Sequence, residues 1–136
     1  MSTKHIIIIG AGIGGLCLGQ GLKKSGISFS IFERDSSTHA RSQGYRLKIS
    51  PDGADVLQQC LSEEAWNLFQ KSSAALTKGV TKANGITGEV ADLSNFKIPN
   101  RAALPVHVFC ADRATMRAAL MTGIESYIFF GKEFKR

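Results

Sequence analysis

The chain has 136 residues, with 17 Lys and Arg against 11 Asp and Glu, for a formal net charge of +6. That length suffices for one domain and is short for two. The basic residues are scattered along the chain rather than gathered on one helix, so nucleic-acid binding is not expected. Three widely spaced cysteines, Cys17, Cys60 and Cys110, form no C-x-x-C pair and indicate neither a disulfide framework nor a zinc site, which fits a reducing cytosol. The residues before Ile6 are too few for a signal peptide, and no apolar run approaches the ~18 residues of a membrane span.

In chain order, Ile6-Ile7-Ile8-Ile9 predicts a strand that feeds into Gly10-Ala11-Gly12-Ile13-Gly14-Gly15. A helix follows, on which Gly15, Leu18, Gly19 and Leu22 fall at i, i+3, i+4 and i+7 and form the face expected to meet the sheet. Gly26 stands where a left-handed helix cap is expected, and Ile27 to Phe32 reads as a second, parallel strand buried on both faces. Glu33 closes that strand.

This pattern has a physical logic. Gly10 permits a tight turn, Gly12 lets a pyrophosphate approach the backbone, and Gly15 lets the helix sit close to the strand. The helix N-terminus offers unpaired N–H groups and partial positive charge to phosphates. A carboxylate at Glu33 suits a ribose hydroxyl and repels the 2′-phosphate of NADP, which leaves NAD or FAD as the bound dinucleotide. A glycine triplet alone is weak evidence, but here the strand, the helix and the acidic residue all stand where the motif requires them.

Further on, Tyr45 to Ile49 reads as a short strand. Ser50-Pro51-Asp52-Gly53 starts a helix with Ala54, Val56, Leu57 and Cys60 as its apolar contacts, and Ser62-Glu63-Glu64 starts another with Trp66, Leu68 and Phe69 facing the core. Trp66 could stack on a flavin or a substrate, although plain packing is the simpler reading. Leu76 to Phe96, with Asn84-Gly85, suggests a surface β-hairpin. Pro105 to Cys110 is a strand pattern, Asp112 caps a helix bearing Arg113, Met116, Arg117 and Leu120, and Ser126 to Phe130 is the last strand. Arg113 has two readings, a phosphate-binding fork or a solvated first-turn residue. His5, His39 and His107 are isolated from carboxylate pairs and from metal-ligand spacing, so no metal site is expected.

Gly10-Ala11-Gly12-Ile13-Gly14-Gly15 with Gly19, Gly26 and Glu33-Arg34 resembles the nucleotide fingerprint of FAD-dependent monooxygenases similar to para-hydroxybenzoate and salicylate hydroxylases. Gln43-Gly44-Tyr45-Arg46-Leu47 and Asp112-Arg113-Ala114-Thr115-Met116 resemble two further stretches of that family, in the same order. The resemblance implies an α/β, Rossmann-like fold with a small hairpin insertion. It implies that Gly10 to Gly15 lie along the FAD pyrophosphate, Glu33 binds the adenosine ribose and Arg34 lies beside the adenine. Gly44 would admit the cofactor closely and Arg113 would reach its phosphate or ribityl part, with Arg41 and Arg46 as weaker candidates on the same surface. The family activity is hydroxylation of an aromatic or similar small molecule with NADH or NADPH and O2, the flavin supplying the redox chemistry.

Enzymes of this type are longer, and their later Asp-Gly and Gly-Asp motifs are not found at matching places here. Residues 1–136 are therefore expected to be the N-terminal part of an FAD-binding domain, incomplete and inactive by itself, with apolar residues such as Ile7, Ile9, Phe29 and Phe130 short of partners. The alternatives are a non-catalytic remnant that binds a dinucleotide weakly and an NAD-dependent dehydrogenase. The second of these leaves the Gly44 and Arg113 segments unexplained.

Overall fold

β-Branched side chains crowd a helix but fit a pleated surface, so the isoleucine run extends as strand β1, His5–Ile9. A computed structural model of the chain describes residues 4–38, 40, 45–75, 83–90 and 109–135. Helix α1, Ile13–Lys24, crosses over to strand β2, Ser28–Phe32, which pairs with β1 in parallel from His5 opposite Ser28 to Ile9 opposite Phe32. The crossover turns at Gly26, whose φ is +67°. Gly26 N–H donates to Lys23 O (3.0 Å) and Ile27 N–H to Leu22 O (2.9 Å), the paired bonds of a Schellman cap.

The next two helices, α2 (Pro51–Cys60) and α3 (Glu63–Ser72), begin as the sequence predicts: Ser50 Oγ accepts from Gly53 N–H and Ser62 Oγ from Ala65 N–H, each at 3.2 Å. Around them strands β3 (Arg46–Ile49), β4 (Ser73–Ala75) and β5 (Phe109–Asp112) make a three-stranded antiparallel sheet in the order β3-β5-β4. Asp112 caps helix α4, Arg113–Met121, accepting from Thr115 N–H at 2.9 Å. After a single 3₁₀ turn, Glu125–Tyr127, strand β6 (Ile128–Phe129) joins β2 in parallel and gives the first sheet its order β1-β2-β6. The architecture is mixed α/β, with a Rossmann-like βαβ unit at its head.

Ile8, Phe29, Ile31 and Ile128 bury on the helix side of the parallel sheet, against Leu16, Met116, Leu120 and Ile124. Gly19 lies flat on this face, where an added Cβ would sit 2.8 Å from Ile31 Cδ1. Gln20 is buried between α1 and α4, and its Nε2 donates to Leu120 O (2.8 Å) and Thr122 O (2.9 Å). It thereby satisfies carbonyls that α4 leaves free at its end.

Several side chains depart from the sequence pattern. Leu18 is half exposed and Leu16 takes the buried place, because α1 must pack against α4 as well as the sheet. Val56 and Leu68 also face out, leaving Ala54 and Leu57 on α2 and Ala65 and Phe69 on α3 as the buried contacts. Trp66 is a packing residue, with its ring 5.4 Å from Phe69 and 6.0 Å from Phe109.

Among the described residues, the parallel sheet is covered on one face only. Ile7 (62% exposed), Ile9 (56%) and Phe129 (43%) lie open, whereas Phe29 is buried and Phe130 packs against the core, contrary to the expectation that these two lack partners. In the hairpin region, Ala83 and Val90 form a bridge around a turn that Asn84 Oδ1 closes from Ile86 N–H (2.9 Å), with the left-handed residue at Gly88 rather than Gly85. The rest of that hairpin and the strand pattern before Phe109 lie outside the described residues.

Candidate functional site

The site is built at the C-terminal ends of β1 and β2. Gly10 carries φ +100°, a conformation that L side chains rarely adopt, and its N–H donates to Phe32 O at 2.7 Å. Gly15 is held by space: an added Cβ would lie 2.1 Å from Gly10 O and 3.2 Å from Ile8 Cγ2. Gly12, the N-cap of α1, differs from both. Its backbone (φ −75°, ψ 176°) suits any residue, and nothing lies within 4 Å of where its Cβ would be. Neither strain nor packing inside the chain explains a glycine there, whereas a group approaching from outside would.

The first turn of α1 carries no side-chain cap and no acidic residue, while α2, α3 and α4 are each capped by a side chain. Its leading N–H groups are thus left for solvent or a bound anion.

The turn is clamped from both sides at Ala11, which is fully buried. Ala11 N–H donates to Glu33 Oε2 at 2.8 Å, and Arg117 Nε donates to Ala11 O at 2.8 Å. Glu33 Oε1 also accepts from Asp35 N–H (3.0 Å), and Arg117 Nη2 lies 3.7 Å from Glu33 Oε2. Arg117 Nη1 reaches Thr38 O at 3.3 Å. Both Glu33 and Arg117 are buried, so the pair is an internal brace. Each carboxylate oxygen retains a further lone pair, so Glu33 can accept more bonds.

These residues line a cavity of about 420 Å³. Gly10, Ala11, Gly12, Ile13, Glu33, Arg34 and Arg113 all contribute to its wall, which brings together sequence positions from three separate segments. Gly14 and Gly15 lie in α1 outside the lining, and Arg113 is anchored through its own N–H to Tyr45 O (3.1 Å). Gly44, Gln43, Arg41, His39 and His107 lie outside the described residues. Arg46 sits on β3 away from the lining, where its charge helps hold Asp112 below the usual carboxylate range, after the larger effect of the hydrogen bonds from Thr115.

His5 hydrogen-bonds to Ser28 Oγ (2.7 Å) and Ser30 Oγ (3.0 Å) at the opposite end of the sheet from the turn. Among the described residues no cluster of three or more His, Cys, Asp or Glu is placed to hold a metal ion, and no helix is long and apolar enough to cross a membrane.

Sequence reasoning passed over two contributors. Arg117 was one residue of the α4 pattern with no role, although its place beside Met116 and three residues before Leu120 aligns it with the buried face. The strip Lys132, Glu133 and Phe134 completes the cavity, brought there by Gly131 N–H to Asp35 O and Lys132 N–H to Glu33 O, both 2.8 Å. No motif marks it.

Residues 8–71 match the NAD(P)-binding Rossmann-like domain family. The chain is 42% identical over 132 residues to the dual O-methyltransferase/FAD-dependent monooxygenase CTB3 of Cercospora beticola, covering 96% of this chain and 15% of that protein. It is 36% identical over 131 residues to the FAD-dependent monooxygenase phnB of Penicillium herquei, covering 94% of this chain and 30% of that one. In structure it resembles a candidate FAD-containing monooxygenase from Photorhabdus luminescens, with TM-score 0.72 and 32% identity over 97% of this chain and 31% of the other. The chain spans less than a third of the length of each of these proteins. The relatives that match across nearly the whole chain in sequence, and the protein it resembles in fold, are thus described as FAD-dependent or FAD-containing monooxygenases.

Proposed function

We propose that the cavity between the glycine turn and Glu33 binds the adenosine diphosphate half of FAD, within an enzyme that hydroxylates an aromatic or similar small molecule using NADH or NADPH and O2. The observation that carries this reading is Gly12, a helix N-cap free of strain and of neighbours, beside a first turn without an acid or a side-chain cap. Phosphate oxygens fit that description: they accept bonds from backbone N–H groups and occupy the space a Cβ would fill.

In this reading Gly10, Ala11, Gly12, Ile13, Gly14 and Gly15 form the phosphate cradle, either as its surface or as the close helix–strand packing behind it. Glu33 accepts from the adenosine ribose with the capacity its internal bonds leave, and Arg34 flanks the base. Arg113, exposed on the cavity wall, offers its guanidinium to phosphate or ribityl oxygens. Gly44 is proposed to let the cofactor pass close to the backbone. Bound FAD would supply the electron and oxygen chemistry, and these residues would bind and orient it. Three free thiols suit a reducing, cytoplasmic setting.

We further propose that residues 1–136 constitute the N-terminal part of the FAD-binding domain and by themselves hold flavin weakly and do not hydroxylate. The uncovered face at Ile7 and Ile9 and the short span relative to relatives support this. An NAD-dependent dehydrogenase would also use the glycine turn, but it leaves the likeness to FAD-dependent proteins across 96% of the chain without a reason.

The test is titration of purified protein with FAD, ADP and NAD, followed by NAD(P)H oxidation with candidate aromatics. Binding of FAD and ADP without turnover is the expected result. Failure to bind either would overturn the cofactor assignment, and turnover by the 136-residue chain would overturn the claim that it is incomplete.

A further inference from the structure

Resting on the reading of the cavity as an adenine-nucleotide site, we propose that Phe134 is its base-contacting residue, an aromatic platform for the purine ring. The glycine turn takes the diphosphate and Glu33 the ribose, so the base lies one sugar further from α1, on the side where the chain after β6 runs. That stretch is tied down by backbone bonds rather than loosely apposed: Gly131 N–H donates to Asp35 O and Lys132 N–H to Glu33 O, both at 2.8 Å. Phe134, two residues on, reaches the lining of the same cavity as Gly12 and Arg34.

Phe134 is 66% exposed. No ring pair among the described residues includes it, whereas Phe32 on the same wall is engaged with Phe129 at 5.3 Å. An aromatic ring left in water on a cavity wall has apolar area to bury, and a purine face is the part of the nucleotide that matches it.

The test uses ADP and inorganic pyrophosphate as probes, titrated calorimetrically into the wild-type chain, Phe134→Ala and Phe134→Tyr. Because Phe134 is exposed, its replacement should leave the melting temperature unchanged, which is checked on the same samples. Phe134→Ala should weaken ADP about tenfold, the scale of one base–aromatic stack, and leave pyrophosphate affinity as in wild type. Phe134→Tyr, which keeps the ring, should keep the ADP affinity.

Unchanged ADP affinity in Phe134→Ala would overturn the proposal. So would an equal loss for ADP and pyrophosphate, since the ring would then only support the wall. A wild-type chain that binds neither FAD nor ADP would overturn the underlying cofactor reading, a result distinguishable from wild-type binding that Phe134→Ala leaves intact.

Discussion

Arg117 on α4 donates from Nε to the carbonyl of Ala11 at 2.8 Å, so a helix late in the chain fixes the peptide at the centre of the glycine turn. The same guanidinium stands 3.7 Å from Glu33, whose carboxylate holds the N–H of that alanine. Removing one partner strands the other charge in a buried site.

Arg117→Ala should therefore destabilise the fold by about 3–5 kcal/mol, the usual range for breaking a buried pair. Arg113→Ala, four residues earlier and exposed, should stay within about 0.5 kcal/mol of wild type. Urea unfolding of the two variants checks the contrast, and equal effects would mean that Arg117 is no brace.

Glycines 12 and 15 should fail in different ways. A Cβ added at Gly12 meets no atom within 4 Å, so Gly12→Val should cost only about 1 kcal/mol, for a poorer N-cap, yet abolish FAD and ADP binding. Gly15→Ala sets a Cβ 2.1 Å from Gly10 O and should unfold the βαβ unit. Circular dichroism with ligand titration separates these outcomes, and a folded Gly12→Val protein of normal FAD affinity would refute the phosphate cradle.

On the acid side, hydrogen bonds from Thr115 hold the Asp112 carboxyl below its ordinary value of 3.8. The folded state then prefers the charged form, so this cap stabilises above the unfolded value and is lost as pH falls through the lowered one. The melting-temperature gap between wild type and Asp112→Ala should be constant near neutrality and shrink below about pH 4. A gap that does not change on acidification would remove the carboxylate from the cap.

Burial, and then the neighbouring Cys60, push the Cys17 thiol up from 9.0 to about 11. Here the folded state prefers the neutral form, so its contribution is complete below pH 9 and disappears as pH rises through about 11. Iodoacetamide at pH 8 should spare Cys17 in the native chain and modify it in urea. Cys17→Ala should flatten the alkaline limb of the stability curve, and rapid native alkylation of Cys17 would contradict both expectations.

Among the described residues one face of the parallel sheet is bare and β1 is an edge strand, an arrangement that invites self-association. Ile7→Thr keeps β-branching, removes apolar area at a residue 62% exposed, and should raise the monomer fraction in size-exclusion chromatography without lowering the melting temperature. A drop in melting temperature would mean that Ile7 is packed.

Local chemistry was the legible part of this chain. Ser50, Ser62, Asp112 and Gly26 act as caps in the structure because a cap depends on a few adjacent residues and the backbone they hold. The strand, turn and acidic residue of the cavity were legible for the same reason. Periodicity did less well wherever two partners compete for one helix: it placed Leu18 on the face of α1 that Leu16 and Gln20 occupy, because it sees a stripe and not the α4 carbonyls that require a donor. Arg117 and the cavity position of Phe134 were illegible for a related reason, since both depend on residues that chain order keeps far apart.

That separation has a temporal consequence. The Arg117 bond to Ala11 spans 106 positions, and the strip beyond β6 comes later still. During synthesis the glycine turn and Glu33 leave the ribosome long before Arg117 exists, so the nascent βαβ unit is clamped at Ala11 from one side only. Closing so large a loop is slow and is rewarded only at the end. Capture of a nucleotide by the proposed cradle would thus wait until the strip beyond β6 has emerged.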